Sequence, residues 1–164
     1  MSLVCVAIFL ALAAFAVPLA RLPGAGAMIY AGCGLVALAG LYAALPVLTA
    51  GVPETHWVLP LGLPWLGMHF ALDRLSAFFL VVVNLGAAVT SLYAIGYGRH
   101  ESDPGRVLPF YPAFLAGMSL VVLAADAFSF LLSWEFMSLT SWALVMTHHR
   151  DRETVRAGYV YVVM

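Results

Sequence analysis

Five stretches of this chain are long and apolar enough to cross a bilayer, and that governs what it can fold into. A span needs about 20 apolar residues at roughly 1.5 Å rise each. The stretches run from about Ser2 to Ala20, Ala27 to Ala50, Leu75 to Tyr97, Val107 to Ala125 and Ala127 to Thr147. A sixth apolar run opens near Ala157 and stops at Met164. So short a piece cannot span a membrane. The expected architecture is an all-α, polytopic membrane helix bundle: five full transmembrane helices and the start of a sixth. It is expected to form a single membrane domain over residues 1–164, the N-terminal fragment of a longer protein.

Composition agrees with lipid as the solvent. The chain is 64% hydrophobic and 9% charged, against roughly 25% charged in a soluble domain. So few charges cannot coat a water-exposed surface. A net charge of −1 gives no basic footprint for nucleic acid. Cys5 and Cys33 stand alone in apolar runs, without the spacing of a metal cluster or disulfide framework. They read as buried, inert thiols. The first run is not a secretory signal, because no Lys or Arg precedes it and Arg21 follows it.

Residues 51–72 differ from the rest, being rich in Pro, Gly and Trp. This segment reads as an extracytoplasmic loop with two short strands around Trp57-Val58-Leu59 and Met68-His69-Phe70. Trp57 and Trp65 suit the interfacial aromatic belt. All seven basic residues are Arg. Arg21, Arg99, Arg106, Arg150, Arg152 and Arg156 follow spans one, three and five, and only Arg74 falls on the other side. The positive-inside rule therefore places the N-terminus outside a cytoplasmic membrane.

Glu135 is the ninth residue of the fifth span, about 12 Å into a hydrocarbon core of about 30 Å. It is expected to be buried at mid-membrane depth. A charge there costs roughly 2.5–3.5 kcal/mol on insertion scales. Apolar surroundings favour the neutral form of a carboxyl group and a nearby cation the charged form. A group set between the two can load and release a proton, so Glu135 is the candidate proton-pathway residue. Ser138, one turn away on the same face, is the second. Ser133, Thr140 and Ser141 lie off that stripe. The alternative for Glu135 is a protonated side chain packed against a neighbouring helix, in a membrane scaffold that transports nothing.

Asp126 and Asp73 precede the fifth and third spans and are expected to cap them, accepting from free backbone N–H groups. No His lies in a span interior, which disfavours a membrane haem. No metal ligands, cofactor site or redox centre is expected in this chain. The glycines Gly32, Gly34 and Gly40 suit close helix packing.

Leu72-Asp73-Arg74-Leu75-Ser76-Ala77-Phe78-Phe79 resembles the segment opening the third helix of the antiporter-like subunits of complex I and multi-subunit Na⁺/H⁺ antiporters. Trp134-Glu135-Phe136-Met137-Ser138-Leu139-Thr140-Ser141-Trp142 resembles their fifth-helix motif. With Phe110-Tyr111-Pro112 and Ala157-Gly158-Tyr159-Val160-Tyr161, the pattern is most similar to the large membrane subunit of hydrogenase-4 and formate hydrogenlyase. The resemblance covers most of the chain from about residue 57 onward. It implies a non-catalytic, proton-translocating membrane subunit of a respiratory-type oxidoreductase, coupled to electron transfer in partner membrane and peripheral subunits. It also implies that Glu135 pairs with a Lys on the seventh helix. A subunit of a multi-subunit Na⁺/H⁺ antiporter is the alternative with the same fold.

Overall fold

The computed structural model describes residues 1–22, 24–50, 53–62, 65, 67–98, 103–148 and 152–163. Helix α1 spans Ser2–Leu19 and α2 spans Ala25–Thr49. A two-stranded antiparallel hairpin follows, β1 over Thr55–Leu59 and β2 over Met68–Leu72. Then come α3 (Arg74–Tyr97), a single turn α4 (Pro104–Val107), α5 (Phe110–Leu123), α6 (Ala127–Val145) and α7 (Arg152–Val163). Five stretches are long and apolar enough to cross a membrane, with α4 and α5 read together as one. The protein is a multi-pass membrane bundle.

The spans are apolar nearly all the way round, the pattern of helices solvated by lipid rather than one-sided surface helices. Exposed Phe15, Leu35, Tyr42, Val82, Leu92 and Leu131 cover the outside. The inside is narrow and built from small residues: Ala16, Cys33, Ala37, Ala44, Ala77 and Ala116 are fully enclosed, with Phe9 and Leu123 among them. Small residues let helix axes approach closely where lipid supplies no hydrophobic drive. Cys5 and Cys33 are buried free thiols.

Punctuation explains the element ends. Gly24 caps the start of α2 at φ 85°, a conformation that disfavours any side chain. Asp73 Oδ1 accepts from the Ser76 N–H at 2.7 Å, and Asp126 Oδ1 from the Ser129 N–H at 2.9 Å, opening α3 and α6. Hydrogen bonding to Ser76, against the opposing push of burial, holds the Asp73 carboxyl below its ordinary range.

Two boundaries differ from expectation. The fourth span breaks at Leu108-Pro109 into α4 and α5, because a proline cannot continue the ladder of the preceding turn. The last helix begins at Arg152 rather than near Ala157. Its polar opening resembles a loop in composition, yet Arg and Glu are good helix formers. Trp57 pairs with Phe70 across the hairpin and, half-buried, packs against the core on the same sheet face. Trp65 is 81% exposed.

The hairpin closes one end of the bundle. Met68, Phe70 and Leu72 alternate inward and are buried, the period-2 pattern of a half-buried strand. The free edge of β2 meets the α5–α6 turn, where Phe70 bridges Ala124 and the Ala125 N–H donates to His69 O at 2.9 Å. The other end holds the α1–α2 and α3–α5 connections, where a Cβ on Gly105 would lie 3.9 Å from that of Ala20.

Candidate functional site

Helix α6 is buried over less of its length than any other span. Ser129, Ser133 and Thr140 are its buried residues, at spacings of four and seven that keep them on the face toward the bundle. Phe130, Leu131, Leu132, Trp134 and Leu139 are exposed. Glu135 belongs to the exposed set. Glu135 lies at mid-span depth on the outward face of this chain, and the described helices do not enclose it.

Glu135 lines a groove of about 410 Å³ between α6 and its neighbours. Leu10 of α1, Met68 of β2, Leu120 of α5 and Leu132, Phe136 and Leu139 of α6 make apolar walls. Ser133 is the other polar residue on the lining, 2% exposed, and its hydroxyl finds no hydrogen-bond partner among the described residues. The site thus offers one carboxylate and one buried hydroxyl on an apolar wall. Such a carboxylate can be neutral by holding a proton, or charged if a cation is brought to it from outside these spans. Either state permits proton exchange.

Ser138 is half-buried and does not line this groove. Its stripe leads toward α7, where a Cβ on Gly158 would meet Trp142 and Met146. The structure brings Glu135 together with Ser133 rather than with Ser138. The sequence stripe missed Ser133 because residues two apart lie far round a helix, and only a groove wrapping the helix reaches both.

Two further polar groups stand away from the groove. Asn84, buried in α3, donates from Nδ2 to Leu80 O at 2.8 Å, and Gly40 of α2 leaves it room. Toward the other end, Tyr111 OH bridges Ser91 Oγ at 2.8 Å and Thr90 Oγ at 3.0 Å, and its ring meets Tyr30 edge-on. These residues are internally satisfied and read as helix clamps. At the hairpin end, Asp126 Oδ2 accepts from the Ser129 hydroxyl at 2.6 Å and from the His69 N–H at 3.0 Å. Burial pushes the Asp126 carboxyl up, but bonds from Ser129, His69 and Phe128 outweigh it and hold it to about 2. Among the described residues, no three His, Cys, Asp or Glu side chains gather as metal ligands. Arg99, His100, His149 and Arg150 lie outside the described residues.

No protein-family model matches the chain. It is 37% identical over 147 residues to an uncharacterized protein of Mycobacterium tuberculosis, covering 87% of this chain and 21% of that one. It is 36% identical over 92 residues to hydrogenase-4 component B of Escherichia coli, covering 55% of this chain and 14% of the relative. The chain thus spans about a fifth or less of the length of these relatives. Its fold matches a chain of the Mrp complex from a Dietzia species with a TM-score of 0.76 and 26% identity, covering 99% of this chain and 18% of that one.

Proposed function

We propose, from the premise that this chain is a homologue of the antiporter-like membrane subunits, that it forms part of a proton-translocating subunit of a respiratory-type oxidoreductase. Electron transfer takes place in partner subunits, and this chain supplies a carboxylate that takes up and releases protons within the membrane. The observation that carries this reading is the placing of Glu135: mid-span, on an apolar groove, on a face that its own helices leave open. A carboxylate facing lipid at that depth is costly. It is accounted for if helices elsewhere in a longer subunit, or in a neighbouring subunit, cover it and bring a cation.

The likeness to hydrogenase-4 component B supports the oxidoreductase parent. The likeness to the Mrp complex supports a second reading, a subunit of a multi-subunit Na⁺/H⁺ antiporter. The arginine distribution supports a cytoplasmic membrane with the N-terminus and the hairpin outside.

Replacing Glu135 by Gln in the assembled parent complex tests the reading. Gln keeps the shape but cannot exchange a proton. Proton uptake into proteoliposomes is expected to fall sharply while the amount of assembled complex stays near wild type. Wild-type uptake at normal assembly would remove Glu135 from the path. Uptake driven by an electron donor marks the first parent, and uptake driven by a Na⁺ gradient the second.

A further inference from the structure

The buried hydroxyls of the bundle nearly all find a partner inside it. Ser119 Oγ donates to Leu115 O at 3.0 Å, Thr140 Oγ1 to Phe136 O at 3.0 Å and Thr147 Oγ1 to Leu144 O at 2.6 Å. Each turns back onto its own helix, the usual recourse of a hydroxyl in an apolar span. Ser91 meets Tyr111, and Ser129 meets Asp126. Ser2 and Ser133 are the buried hydroxyls without a partner among the described residues. Ser2 lies in the first turn of the chain. Ser133 lies in the middle of α6, is 2% exposed, and lines the groove that Glu135 also lines.

The groove sets these two polar groups on either side of an apolar floor. Leu132, Phe136 and Leu139 fall on one stripe of α6, with Ser133 on one shoulder of it and Glu135 on the other. The two residues are about 3 Å apart along the axis. Long helical side chains lean toward the helix N-terminus, so the reach of Glu135 is back toward the level of Ser133. Leu10, Met68 and Leu120 close the far wall and offer no polar side-chain group beyond the weak sulfur of Met68. Whatever satisfies the Ser133 hydroxyl from outside its own helix therefore comes in through the groove, beside the carboxylate.

We propose that Ser133 is a positioning residue for Glu135: its hydroxyl holds water in the groove, and that water is the group with which the Glu135 carboxyl exchanges its proton. A buried water needs room and at least two polar partners. The groove, at about 410 Å³, has the room, and Ser133 and Glu135 are the two partners. A serine hydroxyl both donates and accepts, so it binds water whether Glu135 has given up its proton or taken one. A water bridge of this kind is enthalpically close to a direct hydrogen bond. The inference rests on the reading of Glu135 as the proton-exchanging group and deepens it, by naming the residue that keeps its proton partner in place.

The test uses the assembled parent complex in proteoliposomes, with proton uptake counted per assembled complex. Ser133→Ala should lower uptake about two- to tenfold, the weight of one ordinary hydrogen bond. Ser133→Cys keeps nearly the same volume but hydrogen-bonds weakly, so it should fall with the Ala variant. Ser119→Ala, which removes a hydroxyl bonded within its own helix, should pump as wild type. The infrared carboxyl band of Glu135, identified as the band that Glu135→Gln removes, should shift in Ser133→Ala and stay in place in Ser119→Ala. Wild-type uptake or an unshifted band in Ser133→Ala would each overturn the proposal, and so would wild-type uptake in Ser133→Cys, which would make Ser133 a space-filling residue. Wild-type uptake in Glu135→Gln would remove the translocation reading and this inference with it. Lost uptake in Glu135→Gln beside an unaffected Ser133→Ala would remove this inference alone.

Discussion

A Cβ on Gly117 would lie 2.9 Å from the Cα of Met137, so α5 and α6 meet backbone to backbone at this point. Nothing there can give way as a flexible side-chain tip could. Gly117→Ala should therefore force the helices apart and cost about 1–3 kcal/mol, the range for overpacking. Gly86 of α3 has open space around its missing Cβ. Gly86→Ala should be neutral or gain up to about 1 kcal/mol from reduced chain entropy. Unfolding midpoints in mixed micelles compare the two, and equal midpoints would contradict the close approach.

Gly40 and Asn84 should behave as a coupled pair. A Cβ on Gly40 would lie 2.7 Å from Asn84 Oδ1. Gly40→Ala is expected to destabilise the α2–α3 contact, and Asn84→Ala to relieve part of that loss. The double-mutant coupling should fall within about 0.5–3 kcal/mol. Strict additivity in the same unfolding measurement would show that the residues do not share that space.

Asp126→Ala removes the acceptor that caps α6 and receives the His69 N–H. The loss of the cap alone should cost about 0.5–2 kcal/mol. Because the folded carboxyl is held to about 2 against an ordinary 3.8, its contribution is complete above the ordinary value and disappears as pH falls from 3.8 toward 2. Acid unfolding of the variant should be shallower across that window than that of the wild type. An unchanged acid slope would count against the assignment.

Glu135→Leu should leave the stability of this chain within about 0.5 kcal/mol, as for an exposed substitution, because Glu135 is not packed by its own helices. Proton translocation by the parent complex should nevertheless be lost. A large fall in the melting temperature of the isolated chain would show that Glu135 is a packing residue.

Topology can be read with single cysteines, because Cys5 and Cys33 are buried and should be silent to impermeant reagents in folded protein. Arg21→Cys should label from the cytoplasmic side and Leu61→Cys, on the exposed hairpin loop, from the opposite side. Labelling in the reverse sense would invert the orientation.

The spans, both helix caps and the hairpin strands were legible because each has a local signature: length, an acidic residue before an apolar run, a short alternating piece between Pro and Gly. The facing of α6 was not legible. A helix apolar all round carries no stripe that says which side is inside, so its sequence does not tell that Glu135 faces outward or that Ser133, rather than Ser138, shares its groove. The bridge from Tyr111 to Ser91 and Thr90 was equally hidden, since residues twenty apart on different helices carry no mark of their meeting. Likewise, nothing local to His69 announces Asp126, 57 residues later.

That separation bears on biogenesis. The hairpin leaves the ribosome before α5 and α6 exist, so β2 must wait with its edge groups unpaired. Ala124, Ala125 and Asp126 reach it only after the following hairpin of helices has been threaded across the bilayer in the correct direction. A nascent chain that inserted α3 or α5 the wrong way round would leave Asp126 and His69 on opposite sides of the membrane, and the edge of β2 would stay open to proteases that survey newly made membrane proteins.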